Sequence, residues 1–550
     1  MDRSIGIVTL NAKFIHSSIS LRYLRNAARN AGFNNVWIQE FIINQPTWKI
    51  AAEILRLNPD VLGLSVYIWN RMQILELAER LMKQRPSLKI VLGGPEVSFD
   101  PPGSFSWPVI SGEGETKWVE FLQLVRKNIP PSPEILDRWN TYGNDLPALI
   151  SPFSEEDFDG LRGRIVYIET SRGCPYLCSF CLSALDKTVR YFDDAVIRHQ
   201  IQELVDRGVR QIKFVDRTFN LKPGRLRNWM EWLTRFPGTS FHFEVVGDIL
   251  NADLVEFLET VPEGMFQFEI GIQTATPGVQ ETIRRRQDND RLFSVLDRLV
   301  RQSRVHIHCD LIFGLPGETL PQILNSFERV FSLRPHELQL GFLKFLPGAP
   351  IRDQIEPHQY DFQSSPPYEL ICNKDLSADG VIHLKKFTEV FDEFYNSKRF
   401  RFSLDRLLLT LSPVEIFTRL LQTVESRDFL IKARSLDIQY DIFLETFSCQ
   451  QDAEAMDRLR LDYLYSQRVL RLPDFLRIDP PRGVIPPQKT WPGDRKTPFI
   501  PFNHRIEIEG FSAHLTPVFP PVFYAIAHPE THTNYISPPR LHLATAEKKF

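Results

Sequence analysis

The chain has 550 residues, 43% of them hydrophobic, and 65 Lys and Arg against 68 Asp and Glu give a formal net charge of −3. That length provides for about three or four domains, and the near balance of charge excludes the global positive field that draws a protein onto nucleic acid. No apolar run approaches the roughly 18 residues of a membrane span, and Met1-Asp2-Arg3-Ser4 lacks the long apolar core of a secretory signal, so a reducing cytoplasm is expected.

Residues 4–126 alternate strand and helix. Strands are expected at 4–10, 36–41, 61–65, 89–93 and 107–111. Helical spacing runs over 17–31 and stops at Gly32, a fitting C-cap. Further helices are expected around Ile50, Ile54 and Leu55 and over 71–84. Such alternation means a parallel, doubly wound (Rossmann-like) sheet, whose ligands sit at the carboxyl ends of its strands. Three of those ends look built for one: the segment 9–16 with Asn11 and His16, Gly93-Gly94-Pro95-Glu96, and Gly112-Glu113-Gly114-Glu115. Glycines there let a backbone approach something flat or bulky, although such turns are common in α/β folds. None is the G-x-G-x-x-G fingerprint, and there is no phosphate-binding lysine loop. Residues 131–160, with Pro131, Pro133, Pro147, Pro152 and acidic 155–157, read as a linker.

An apolar run at Ile165-Val-Tyr-Ile168 then breaks at Ser171-Arg172-Gly173, and Cys174, Cys178 and Cys181 follow with C-x3-C-x2-C spacing. Half of the chain's six cysteines fall within these eight positions, which unrelated buried thiols rarely do. Zinc would need a fourth ligand, and no His or Cys follows closely. A disulfide would leave one thiol over and suits a secreted protein. Soft thiolates in one short loop suit an iron–sulfur cluster. Three ligands to a cube of four irons leave one iron open to a second molecule.

From Arg164 the alternation resumes for six rounds, with strands expected at 165–170, 211–216, 241–247, 265–271, 305–313 and 337–344. In barrels of this type the chemistry sits at the C-terminal strand ends. Glu244 stands inside an otherwise apolar strand, where a carboxylate costs several kcal/mol, by order of magnitude, unless paired. It is a site candidate, or one half of a structural pair with an arginine. Glu269 and Gln273 fall on one strand face at period two. Cys309 reads as a buried structural thiol. After residue 344 the character changes. Residues 358–367 look loop-like, and 376–470 helix-rich with amphipathic runs such as 404–424. Residues 472–503 read as a Pro-rich connector, 505–509 and 522–526 as strands of a small β element, and the end from Pro538 as a tail.

Cys174-Pro-Tyr-Leu-Cys178-Ser-Phe-Cys181 after a strand resembles the radical S-adenosylmethionine (SAM) superfamily. The resemblance implies a 4Fe–4S cluster on the three cysteines, with the open iron taking the amine and carboxylate of the SAM methionine. It places Phe180 near the adenine and implies reductive cleavage of SAM to a 5′-deoxyadenosyl radical. The six βα units match that family's open, partial (βα)6 TIM-like barrel. Val215-Asp216-Arg217-Thr218-Phe219 stands where relatives carry a D-D-T-F-like turn near the SAM methionine. The second acid is Arg217 here, and Asp216 equally suits an N-cap. Phe268-Glu269-Ile-Gly-Ile-Gln273-Thr274 resembles an E-x-G-x-Q turn that contacts SAM. An arginine of Arg284-Arg285-Arg286 would lie near the SAM carboxylate, or at a solvated helix end. Gly314-Leu-Pro-Gly-Glu-Thr319 is similar to a turn that approaches the adenine, with Thr319 capping the next helix.

The pieces before residue 127 are similar to a cobalamin-binding domain, with Asn11, Ser65, Gly93, Gly94, Glu96, Gly112 and Glu113 as the implied cobalamin contacts. The D-x-H-x-x-G motif that gives cobalt a histidine is absent and His16 does not occupy that pattern, so cobalamin is expected without a histidine ligand. The layout implies a cobalamin-binding-type domain over 1–130, a linker over 131–160, a radical SAM barrel over 161–350, a mainly helical region over 351–475, and a connector, small β element and tail over 476–550. The implied activity is reductive cleavage of SAM coupled to methyl transfer onto an unactivated carbon. The alternatives are rearrangement or oxidation with a vestigial cobalamin domain, or a non-catalytic metal-binding protein. A methylthiotransferase is discounted because no cysteine precedes Cys174. The implied partners are a small-molecule or peptide substrate and an electron donor such as flavodoxin or ferredoxin. No residue is assigned to the substrate.

Overall fold

The computed structural model describes residues 3–101, 103–141, 151–428, 434–466, 472–477, 484–485, 500–509, 512–527, 540–544 and 547–548. The chain forms two compact units, Met1–Ser326 with Leu333–Ala378, and Phe327–Ser332 with Asp379–Phe550.

The first unit holds two parallel sheets. Strands β1 (Ile5–Asn11), β2 (Val36–Ile42), β3 (Val61–Ser65), β4 (Lys89–Gly93) and β5 (Val109–Ile110) make one sheet in the order β2-β1-β3-β4-β5. β1, β3 and β4 are buried on both faces, as a central parallel strand must be. Two apolar clusters cover those faces, one around Leu62, Leu64, Ile74 and Leu77, the other around Ile7, Leu21, Val91 and Trp118.

Residues 131–141 and 151–160 do not behave as the linker their prolines suggest. Pro133 opens a helix, Pro133–Asn140, with Ser132 accepting from the Ile135 N–H, because proline is favoured at a first helical position. Trp139 of that helix is fully buried in the second apolar cluster and donates Nε1–H to Glu120 at 2.8 Å. Asp157 is buried against Arg25 (2.6 Å) and Arg22 (3.2 Å). Pro147 lies outside the described residues. Trp139→Ala is expected to destabilise the sheet domain by about 3–5 kcal/mol, read as a lowered urea midpoint.

The second sheet is a six-stranded open barrel of β6 (Ile165–Ile168), β9 (Gln211–Phe214), β10 (Ser240–Glu244), β11 (Phe266–Gln273), β12 (His306–Phe313) and β13 (Glu337–Phe342), in chain order from edge to edge. A short antiparallel pair, β7 (Ser171–Arg172) and β8 (Arg190–Tyr191), lies between β6 and β9. Along β11 buried Phe266, Phe268, Ile270 and Ile272 alternate with half-buried Gln267, Glu269, Gly271 and Gln273. The aromatic set packs outward on the helices, as Phe214 does on Trp229 and Phe243. The other set lines the lumen. Register puts Tyr167, Lys213 and His242 in one row and Glu244, Glu269 and His308 in the next.

The loop after β1 closes the barrel's β6 edge. Ile165 N–H donates to Ile15 O at 2.8 Å, His16 bridges Ile165 in parallel register, and Ser17 Oγ donates to Ile165 O. Arg164 reaches back to Glu40 and the His16 carbonyl. The segment expected as loop at 358–367 contributes Asp361–Phe362, paired antiparallel with Leu370–Cys372. Residues 351–378 cluster with the barrel unit, tied by Leu370 N–H to Leu343 O and the Tyr360 hydroxyl to Gly314 O, both at 3.0 Å.

In the second unit, helices Ala378–Phe391, Arg401–Leu407, Pro413–Ser426, Leu436–Thr446 and Ala453–Ser466 dominate. The amphipathic run over 404–424 is cut in two because Ser412 caps, and Pro413 starts, a new helix. Asp457, fully buried, accepts from Asn503 N–H and His504 Nδ1 and pairs with Arg460. It ties the last helix to strand Ile500–Glu509, which pairs antiparallel with Ser512–Ala527. Most of the Pro-rich connector and parts of the C-terminal tail lie outside the described residues. Among the described residues no helix is long and apolar enough to cross a membrane.

Candidate active site

The cysteine loop is fixed from both ends. Gly173, with φ +91°, sits so close to Thr188 that a Cβ would lie 2.2 Å from its carbonyl oxygen. Cys174 N–H donates to Asp186 O (2.8 Å), and Cys181 N–H to Cys178 O (3.1 Å). Ser179 bridges two other segments, its N–H to Ile283 O and its carbonyl to Ile351 N–H. Cys174 and Cys178 are buried and Cys181 half-buried. Thr218 Oγ1 lies 3.8 Å from Cys174 Sγ, and Arg285 Nη1 3.7 Å from Cys178 Sγ. Burial pushes the Cys174 and Cys178 thiols up, Arg285 pulls Cys178 back, and Cys181 acts electrostatically on both. Among the described residues no three such side chains close around a single ion. A cube of four irons takes each thiolate on a separate iron, so its ligands stand apart. Three free thiols in one loop, with a cation beside one of them, fit that group.

Asp216 is enclosed by donors of the chain itself. It is 1% exposed, and its carboxylate accepts from Thr170 N–H (2.8 Å), Thr170 Oγ1 (2.5 Å) and Ser171 Oγ (2.6 Å). Through these bonds it holds the turn that leads into the cysteine loop. Gly314 packs on the segment that follows the barrel. A Cβ there would lie 2.0 Å from Leu370 Cδ2, so the close approach is to the chain's own strap. Thr319 does precede helix Leu320–Phe331, and its N–H donates to Gln322 Oε1.

The lumen residues form a linked set. Lys213 Nζ is 2.8 Å from Glu269 and 3.9 Å from Glu244, and His242 Nε2 is 2.9 Å from Glu269. Burial alone would raise Glu269, but His242 and Lys213 hold it well below the usual carboxylate range. Glu244 is pushed up by burial, partly offset by Arg217. Lys213, rather than the arginine expected, is its ion-pair partner. Gln273 adopts φ +70° after an irregularity at Gly271, with a buried Oε1 that has no hydrogen-bond partner. Arg285 donates to the Gly271 carbonyl. Phe180 is half-buried in the cysteine loop.

At the carboxyl edge of the first sheet several polar groups expected to face a ligand are engaged internally. Asn11 Nδ2 donates to His16 O (2.9 Å) and Glu40 (3.2 Å). The Ser65 carbonyl accepts from Thr9 and Asn70, both at 3.3 Å. Gly93 sits in ordinary contact with Ile110, and Gly94 packs against Val66. Glu96 accepts the Tyr368 hydroxyl and lies 3.8 Å from Arg71. Beyond Gly112, Glu113 pairs with Arg190 (2.6 Å). His16 Nδ1 is 2.8 Å from the Tyr167 hydroxyl.

What the edge presents instead is apolar and flat. Tyr67 and Trp69 stack at 4.6 Å and 3°. Phe14, Met72 and Trp69 are 72%, 68% and 46% exposed. Phe14 follows β1, Tyr67 and Trp69 follow β3, and Met72 lies in the first turn of helix Arg71–Gln84; Trp69 Nε1 donates to Leu10 O. An exposed aromatic face of this kind suits a large planar ligand. Sequence reasoning missed it, although aromatics directly after strand ends were the available signal.

Glu169 is the least comfortable carboxylate of the site. It is buried and faces Glu115 and Asp216, and Arg172 offsets this only in part, so it is pushed up to about 7. An acid raised this way favours folding most below its ordinary value of 4.5 and loses that contribution as pH rises through about 7. Glu169→Gln is therefore expected to flatten the decline in melting temperature between pH 5 and 8, roughly the window of that titration.

A doubly wound sheet with an aromatic carboxyl edge is joined in one compact unit to an open six-stranded barrel with a three-cysteine loop, the layout that the sequence resemblance implies. Family models agree: residues 5–122 match the B12 binding domain, 168–330 the radical SAM superfamily, and 356–484 a protein family of unknown function. The matched segments place a radical SAM domain directly after a B12-binding domain. It is 28% identical over 352 residues to the cobalamin-dependent radical SAM methyltransferase TokK of Streptomyces tokunonensis, over 56% of this chain and 50% of that protein. The chain spans about half the length of the first curated relatives it matches. Its fold is that of the cobalamin-dependent SAM radical enzyme OxsB (TM-score 0.58, 13% identity, 84% of this chain and 83% of that one). It is also that of the methyltransferase TsrM of Kitasatospora setae (TM-score 0.53, 15% identity, 67% and 82%).

Proposed function

We propose that the protein is a cobalamin-dependent radical SAM methyltransferase acting on a carbon of a small-molecule or peptide substrate, with a flavodoxin- or ferredoxin-type electron donor. The observation that carries this reading is the placement of the cysteine loop and the aromatic sheet edge in one compact unit. When bound, the cluster and SAM supply a radical and the cobalamin a methyl group; the hard chemistry is the cofactors'.

The chain's own residues bind and orient. Cys174, Cys178 and Cys181 hold the cluster, and Arg285 places positive charge beside Cys178. Gln273 offers an amide oxygen unused among the described residues at a barrel strand end, and Glu244 a half-buried carboxylate 3.9 Å from Lys213. Both suit the donor groups of SAM. Phe14, Tyr67, Trp69 and Met72 would bind the corrin, and His16 is hydrogen-bonded to the Tyr167 hydroxyl.

The test is the visible spectrum and metal content of anaerobically reconstituted protein supplied with cobalamin. Iron–sulfur absorption with retained corrin is expected. Iron without corrin would leave SAM cleavage and end the methyl-transfer reading; neither cofactor would end both. Cys178→Ala is expected to abolish iron uptake and 5′-deoxyadenosine formation while leaving the melting temperature within a few degrees.

A further inference from the structure

Two arginines at the neck of the cysteine loop stand outside every role given above. Arg172 and Arg190 are register partners in the β7–β8 pair, so they lie side by side where the loop begins and ends. Each reaches one carboxylate of its own neighbourhood and one of the Gly112-Glu113-Gly114-Glu115 turn. Arg172 Nε is 2.8 Å from Glu169, and its Nη2 2.7 Å from Glu115. Arg190 is 2.6 Å from Asp186 and bidentate to Glu113 at 3.0 and 2.6 Å. The Arg172 guanidinium also lies over Tyr23 (5.4 Å) and Phe192 (5.6 Å), one ring from each domain.

We propose that Arg172 and Arg190 are positioning residues that clamp the 112–115 turn of the sheet domain to the neck of the cysteine loop, so that filling the cobalamin edge and filling the cysteine loop favour each other. This rests on the cobalamin reading above. All six side chains are largely shielded, 10–18% exposed, so salt screens them less than surface pairs. Bidentate geometry fixes direction as well as distance, and a lysine cannot reproduce it. Glu115 opens helix Glu115–Lys127, so the clamp grips the end of a rigid element rather than a free loop. Ordering the cysteine loop orders both arginines. Ordered arginines hold the turn, and the turn closes one end of the sheet edge. Coupling of this kind is reciprocal by thermodynamic necessity.

The experiment is hydroxocobalamin binding to the full chain, with and without a reconstituted cluster. The reconstituted wild type is expected to bind about five-fold or more tightly than the cluster-free protein. In Arg190→Gln, Glu113→Gln and Arg172→Lys that ratio should fall to about one while each reconstituted variant still takes up iron. The double variant of Arg190→Gln and Glu113→Gln should behave like either single one. An unchanged ratio in the variants, or a ratio of one in the wild type, overturns the coupling while leaving cobalamin binding intact. No binding in either state overturns the cobalamin reading and the coupling with it. Hydrogen exchange without cofactors separates these cases. Glu113→Gln and Glu115→Gln should speed exchange across 171–191 at unchanged melting temperature, and unchanged exchange there would remove the clamp.

Discussion

Gly173→Ala is expected to cut the iron taken up on reconstitution at least tenfold, with the second unit melting as before. Two independent costs meet at this residue. Its φ of +91° is a region L side chains rarely adopt, costing of order 1–3 kcal/mol. The added Cβ would stand 2.2 Å from the Thr188 oxygen and 2.9 Å from its carbonyl carbon. Those are backbone atoms and cannot rotate aside, so the neck of the loop must widen. Widening it strains the Cys174 N–H bond to Asp186 O and parts Arg172 from Arg190. Gly238 is the control: its φ is +78°, and a Cβ there meets nothing within 4 Å. Gly238→Ala carries the strain without the collision and should take up iron normally. Equal iron content in the two variants would show that the collision is absent in solution and that the loop is not fixed at its neck.

Every strand of the two parallel sheets was legible from apolar runs, two of them with both ends unchanged and the others with ends moved by at most three residues. The largest shift is at the end of β10, where the apolar Val245 and Val246 continue past Glu244. Periodicity carries that much because a buried parallel strand needs little beyond apolar residues. The prolines of 131–160 misled for a local reason: Pro133 starts a helix as readily as it breaks one, and Trp139 was the sign that it packs. The site was half legible. The cysteine spacing is local in sequence, so the motif stood out. The clamp is not, since Arg172 meets Glu115 57 residues away and Arg190 meets Glu113 77 away. Such acids at a glycine-rich turn read as ligand contacts until their arginines are seen. The neighbour of Gly314 is likewise absent from the local sequence: Leu370 lies beside it, and a glycine reports close approach without saying by what.

Asp216 gives the second large effect and a choice between two roles. Its three donors, Thr170 N–H, Thr170 Oγ1 and Ser171 Oγ, are all buried. Asp216→Ala orphans them, at about 1 kcal/mol or more each, so a loss of at least about 3 kcal/mol is expected, read as a lowered urea midpoint. The Thr170-Ser171 turn runs directly into Arg172, Gly173 and Cys174, so iron uptake should fall with it. Asp216→Asn is the sharper probe. Its amide oxygen can still accept the Thr170 N–H, but its NH2 then faces two hydroxyls. Ser171 can turn its lone pair toward that group; Thr170 Oγ1 already accepts from Arg225 Nη1 at 3.0 Å. The Asn variant should therefore lose roughly a third to a half of what Ala loses, and keep part of its iron, since hydrogen bonds are matched or lost one at a time. If Asp216 held the amine of SAM instead, Asn would weaken SAM binding at full stability and full iron content. Stability and iron falling together, in the order Ala below Asn below wild type, places Asp216 under the cysteine loop as its support.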